Sequence, residues 1–302
     1  MPFNYHLRLI HQWRPIVAFR KFARRLAVGA AALAALGMPV LSIPARADQL
    51  QDILQRKELR CGTFADVPPF AAPDPKTREM AGFDVDLCTA IAKRLSVTPK
   101  ITPLSVEGRV PEVKLGRVDV TIANLAYTLG RAEQIQFSDP YYIAKEMLGV
   151  RASDPGTTPA EFKGKRLAAA KGSTSELAVK LNGSDPLTFQ DTGSVFMAVE
   201  QNKAAGMVAN TMTITKLVSE SQTHGVALKM IQDPMLLEPI CVGMKKDEPA
   251  LLAKINETLL AMDSAGEINR LWDKWLGPNT EFKMVRTDKV APLKDLKFTP
   301  IP

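Results

Sequence analysis

The sequence predicts an α/β fold, with parallel or mixed sheets covered by helices. Two observations carry that expectation. Short β-branched runs alternate with amphipathic helical segments from residue 51 to residue 276. The chain also has 302 residues, 46% hydrophobic and 24% charged, which is enough for about two ordinary globular domains.

Taken in order, 51–57 has the pattern of a helix and 59–63 that of a strand. Segment 84–95 is helical because Leu87, Ile91, Ala92 and Leu95 fall on one stripe. A strand over 100–104 precedes a short helix at 111–115, which Pro111 suits as an opening residue, and a strand at 118–122. Strands at 143–151 and 166–170 lead to a helix at 173–181. Helix 194–201, strand 205–209 and helix 211–220 continue the alternation. Strands 226–231 and 240–244 come before two helices, 250–262 and 267–276. From Gly277 the chain is rich in Pro and Lys and loses periodicity, the pattern of a tail.

The net charge of +7 suggests nucleic acid, but its location excludes that partner. Residues 1–47 hold Arg8, Arg14, Arg20, Lys21, Arg24, Arg25 and Arg46 and no acid, and without those seven the chain has 32 basic and 32 acidic residues. The same segment has the three parts of a secretory signal: a basic stretch to Arg25, an apolar run over 26–41, and the A-x-A site Ala45-Arg46-Ala47. Its apolar run is short for a membrane span and is broken by Pro39. The expectation is a soluble, exported protein with mature residues from Asp48 on.

Cys61, Cys88 and Cys241 are odd in number and lie in apolar segments, so three buried thiols is the default reading, while an oxidising compartment permits one disulfide. His224 is the single histidine after residue 47, and no zinc-ligand spacing or nucleophile–His pair is present. No metal, cofactor or catalytic residue is therefore expected.

Some residues could still carry a binding site. Ser173 and Glu176, in Lys171-Gly-Ser-Thr-Ser-Glu176, have capping-box spacing, and the helix N-terminus they set is suited to an anion. Arg131 follows a strand and a turn, where a guanidinium can fork onto a carboxylate. Asp84 precedes a helix and has the position of an N-cap.

Eight ordered pieces go further: Leu59-Arg-Cys-Gly-Thr-Phe-Ala-Asp-Val-Pro-Pro-Phe70, Gly82-Phe-Asp-Val-Asp-Leu87, Gly116-Arg-Val-Asp119, Thr128-Leu-Gly-Arg131, Phe137-Ser-Asp-Pro-Tyr-Tyr142, Phe162-Lys-Gly-Lys-Arg166, Lys171-Gly-Ser-Thr-Ser175 and Trp272-Asp-Lys-Trp275. Together they resemble the periplasmic amino-acid-binding proteins of ABC importers, and 105–111 looks most like the glutamate/aspartate-binding branch. The resemblance implies the type II periplasmic-binding-protein fold: two lobes, two crossovers and a ligand cleft between them. The first lobe would be 48–143 plus 239–277, the second 144–238, and the tail 278–302. It implies a monomer that gives an amino acid or related small carboxylate to ABC importer membrane subunits.

Carried over residue by residue, the carboxylate site would fall on Arg131, Ser173 and Thr174, an aromatic on Phe64, an acceptor on Asn124, and an acidic-branch arginine on Arg109. The chain departs from the pattern at Asn210, where the family usually has aspartate for the ligand ammonium, and at Ala126, commonly a hydroxylated residue. Phe64 and Thr192 stand where the acidic branch reads a second carboxylate, so the resemblance leaves the ligand open. The alternative is an enzyme on the same scaffold, such as a cyclohexadienyl dehydratase, with Glu176 or Asp84 as its acid.

Overall fold

The computed structural model describes residues 48–223, 225–296 and 301–302. The expected signal segment and His224 lie outside the described residues.

The chain opens with α1 (Gln49–Arg56), β1 (Glu58–Phe64), a small hairpin β2 (Ala72–Pro73) and β3 (Met80–Ala81), and α2 (Phe83–Arg94). Next come β4 (Thr98–Leu104), α3 (Arg109–Lys114), β5 (Val120–Thr121), α4 (Leu129–Ala132) and β6 (Gln136–Phe137). The middle of the chain holds β7 (Tyr142–Arg151), β8 (Arg166–Ala170), α5 (Thr174–Leu181), β9 (Asp185–Phe189), α6 (Thr192–Glu200) and β10 (Gly206–Asn210). It continues through α7 (Thr211–Ser221), β11 (Leu228–Met230) and β12 (Leu236–Ile240), and ends in β13 (Gly243–Met244), α8 (Pro249–Ser264) and α9 (Glu267–Trp275).

These strands form two main sheets, each in its own lobe. The first runs β4-β1-β5-β13-β6; the second runs β11-β7-β10-β8-β9, with β12 also paired to β7. The chain passes between them twice, before β7 and after β12. Both sheets are mixed: β1 is parallel to β4 and β5, while β7 is antiparallel to β10, β11 and β12.

Alternation along strands buries both faces of the second sheet. Met147, Ala168 and Met207 pack on one side with Val195 and Val199 of α6, whereas Leu148, Leu167 and Val208 pack on the other with Ala178 and Val179 of α5. The first lobe's core gathers Leu59, Phe83, Leu87, Ile91, Tyr141 and Trp272.

Three expectations change. Cys61 of β1 and Cys88 of α2 form a disulfide, with Cα atoms 6.4 Å apart, and only Cys241 is free, so the three-thiol reading fails. The cap of α2 is Gly82, not Asp84. Gly82 is required there: its φ is 148°, and a Cβ would lie 2.1 Å from the Phe70 carbonyl oxygen. The segment after Gly277 is aperiodic but fastened to the first lobe, with Phe282, Met284 and Val290 packed on its core. Arg286 donates to the Tyr141 carbonyl through Nη2 (2.8 Å) and to Asp263 Oδ1 through Nη1 (2.6 Å).

Candidate functional site

The carboxyl ends of β1, β8 and β10 converge on a cleft between the lobes, the place where open α/β sheets bind ligands. The cleft holds about 500 Å³ of space, its open mouth included. Phe64, Arg109 and Asn124 line it from the first lobe, and Glu146, Ser173, Thr174, Thr192 and Asn210 from the second.

Arg109 is rigidly placed. Its Nε donates to the Val106 carbonyl (3.0 Å), its Nη1 to the Ala123 carbonyl (2.9 Å), and its guanidinium carbon sits 4.9 Å from the centre of the Phe64 ring. Burial, with Arg131 nearby, pushes its pKa down to about 9. Asn124 adopts φ 44°, a left-handed conformation asparagine tolerates, and its Oδ1 accepts from the Tyr142 hydroxyl.

Arg131 is not among the residues that line the cleft; it bridges the lobes at its rim. Nη1 donates to the Ala126 carbonyl (2.9 Å) and Nη2 to the Gly172 carbonyl of the second lobe (3.2 Å). Burial lowers its pKa, and Glu238 and Glu146 oppose that shift. Lys171 Nζ makes a second contact across the rim, 2.8 Å from Glu107 Oε1. Ala126 does not face the cavity: its side chain is buried beside Ile240, and only its carbonyl serves the site, through Arg131.

Ser173 caps α5, accepting from the Glu176 N–H at 3.2 Å, while its hydroxyl donates to the Ala170 carbonyl. The other half of the expected capping box is displaced by one residue, since Glu176 Oε2 accepts from the Gly172 N–H (2.9 Å). Asn210 caps α7, its Oδ1 accepting from the Thr213 N–H at 3.0 Å, so part of its acceptor capacity is already used.

The main surprise is acidic. Glu146 of β7 and Glu238 of β12 are both almost fully buried beside the cleft. Burial raises the pKa of Glu146 well above the usual carboxyl value, and the Glu238 charge adds to this; burial also raises that of Glu238. Asp84 is wholly buried with neither carboxyl oxygen hydrogen-bonded to a side chain, and burial pushes its pKa up to about 7 against the pull of the Asn124 N–H and Arg109. Sequence reasoning missed Glu146 and Glu238, because Lys145-Glu146 has the form of an ordinary polar break in an apolar strand.

A two-lobed α/β molecule with an interlobe cleft, lined by charged groups from both halves, has the architecture of a solute-binding protein. Residues 59–278 match the bacterial extracellular solute-binding proteins, family 3, and the chain belongs to that family. Among curated relatives, it is 24% identical over 222 residues to ABC transporter arginine-binding protein 1 of Escherichia coli K12, covering 72% of this chain and 90% of that one. Among solved structures, an ancestral arginine-binding protein bound to glutamine superposes with TM-score 0.68 at 32% identity, covering 74% of this chain and 99% of that one. The ancestral amino acid-binding protein AncCDT-1, a precursor of cyclohexadienyl dehydratase, has TM-score 0.68 at 29% identity, covering 76% of this chain and all of that one. No helix among the described residues is long and apolar enough to cross a membrane.

Proposed function

We propose that this protein is an exported, periplasmic amino-acid receptor that closes its two lobes on the ligand and delivers it to the membrane subunits of an ABC importer. The carrying observation is the rim of the cleft, where Arg131 of one lobe reaches the Gly172 carbonyl directly before the α5 N-terminus of the other. A ligand carboxylate placed there takes donors from both lobes: the Arg131 fork on one side, and the Ser173–Thr174 end of α5 on the other. Phe64 and Arg109 form the wall beneath the rest of the ligand. The names of the relatives, which speak of arginine and glutamine, support an amino acid as the class. Export follows from the signal-like segment, with cleavage before Asp48; Asp48 Oδ1 then caps α1 by accepting from the Leu50 N–H (2.9 Å).

Thermal-shift screening of the twenty L-amino acids, followed by calorimetry, tests the reading. At least one should bind stoichiometrically at micromolar Kd or tighter, and no binding across the panel overturns it.

A second reading, a dehydratase, draws support from Glu146, a carboxyl at the cleft whose pKa burial and the Glu238 charge raise well above the usual value, the direction a general acid requires. Of the two acids the sequence suggested, Glu176 is committed to its helix start and to Lys180, and Asp84 lies beneath the cleft wall. Turnover of prephenate or arogenate would select this reading over transport.

A further inference from the structure

The register of the second sheet puts three polar side chains on one face. Asn210 of β10 stands directly opposite Glu146 of β7, so their side chains share a side of the sheet. On the other flank Glu146 pairs with Leu236, and Glu238 lies two residues further along β12, hence on that same side. The first turn of α5 meets both carboxyls: Ser175 Oγ donates to Glu146 Oε2 at 2.7 Å, and Glu238 lies within reach of the Thr174 side chain and of Glu146.

Charged and titratable groups surround the pair. Arg109 of α3, Arg131 of α4 and Tyr142 of β7 face it from the first lobe and the crossover, with Asp84 of α2 beside Arg109 and Tyr142 and Asp288 of the C-terminal segment behind Tyr142. Neither arginine is spent on these acids, since the guanidinium hydrogen bonds run to the carbonyls of Val106, Ala123, Asn124, Ala126 and Gly172. Glu238 Oε1 is buried without a hydrogen-bond partner among the described residues. A buried acid in that condition destabilises the protein unless a donor arrives from elsewhere.

We infer that Glu146 and Glu238 form the ammonium subsite of the cleft, supplying from the neighbouring strand the carboxylate that position 210 lacks. This rests on the amino-acid reading above and narrows it to ligands with a primary ammonium beside the carboxylate. The acids lie beside Ser175 and Thr174, next to the Ser173–Thr174 helix end proposed for the carboxylate, so the two charges are received at adjacent points, as an α-amino acid presents them. An ammonium has three donors, enough for Glu146, the orphan oxygen of Glu238 and the Asn210 amide oxygen. Burial and mutual repulsion disfavour two charges on the pair and raise its pKa against the pull of Arg109 and Arg131, so a proton on the pair competes with a ligand cation. The ammonium enters with its own protons, and the carboxyl proton leaves to solvent.

The test is calorimetry with whichever of the twenty L-amino acids gives the largest thermal shift, run between pH 5.5 and 8 in two buffers of different ionisation heat. Up to one proton should be released per ligand, and Kd should tighten with rising pH, by at most about tenfold per unit. Glu146→Gln should abolish the release and weaken binding at least tenfold, yet bind the deamino analogue of the same ligand no worse than wild type does. Circular dichroism checks its fold, and Glu238→Gln serves if Glu146→Gln does not fold. Zero proton exchange with an unchanged Kd in a folded variant overturns the subsite while leaving the amino-acid reading in place. Failure of all twenty amino acids to bind the wild type overturns both.

Discussion

Arg286→Ala should be the most destabilising single change in the C-terminal segment. The Arg286 side chain is 1% exposed and its guanidinium makes four bonds: Nη1 to Asp263 Oδ1 (2.6 Å) and Asn269 Oδ1 (2.7 Å), and Nε and Nη2 to the Tyr141 carbonyl (3.0 and 2.8 Å). Alanine leaves the buried Asp263 carboxylate with only the Val290 N–H at 3.2 Å, and leaves the Tyr141 carbonyl without either donor. Removing one partner of a buried ion pair costs about 3–5 kcal/mol, because the remaining charge stays desolvated. Taking about 4 kcal/mol, and about 2–4 °C per kcal/mol for a chain near this size, the melting temperature should fall by roughly 8–16 °C. Urea unfolding followed by tryptophan fluorescence gives the free-energy change directly. Replacing both partners, Arg286→Met with Asp263→Leu, should recover most of the loss, since the buried charge is then gone. A single-variant loss under about 1 kcal/mol would show that the segment is not fastened to the first lobe as described.

Arg131→Ala should weaken a carboxylate ligand roughly 30-fold to over 1,000-fold, from a loss of about 2–5 kcal/mol, with the fold intact; an unchanged Kd in calorimetry would remove Arg131 from the site. Asp84 has a folded pKa near 7, above its unfolded value, so its burial costs nothing below pH 4, an increasing amount from pH 4 to 7, and the full penalty above. Asp84→Asn should therefore stabilise the protein by about 3–4 kcal/mol more at pH 8 than at pH 4, and equal urea midpoint shifts at both pH values would contradict this. Replacing Cys61 and Cys88 by serine opens a 27-residue loop and should cost about 3.5 kcal/mol of chain-entropy restraint. A thiol assay on the native wild type should find no reactive group, because burial raises the pKa of the one free thiol, Cys241, and shields it.

What was legible in the sequence is what local pattern can encode. The strand at Arg166–Ala170 and the helices starting at Thr211 and Glu267 have runs long enough for periodicity to place them. The expected strands at 118–122 and 240–244 contain Val120–Thr121 and Gly243–Met244, whereas Gln136–Phe137, two residues long, was not expected and is held by its distant partner Gly243–Met244. Strand Asp185–Phe189 was missed because its Asp-Pro start has the form of a turn; its parallel partner β8 holds it extended. Of the expected site residues, Phe64, Arg109, Asn124, Ser173, Thr174 and Asn210 line one cavity, while Arg131 and Ala126 are not part of its lining. Glu146 and Glu238 are 92 residues apart and become neighbours only when β7 and β12 pair, which no local window reveals.

That pairing also sets the mechanics of the cleft. From Glu146–Leu236 to Tyr142–Ile240 the two crossovers are one antiparallel ladder, and the bonds continue toward the first lobe from the Tyr141 N–H to the Ile240 carbonyl and from the Ser138 N–H to the Val242 carbonyl, both 2.9 Å. Two strands laced together in this way bend as a strip but resist sliding past each other, because a slip would break every rung. A bend of that strip would turn the lobes about an axis that crosses it. Groups on the strip itself, the carboxyls of Glu146 and Glu238, would move little in such a bend, while the Arg131–Gly172 bond, whose ends belong to different lobes, would open or close with it. The inner end of the cleft is in effect a fixed anvil, and the rim is the jaw whose travel a pair of spectroscopic labels would record.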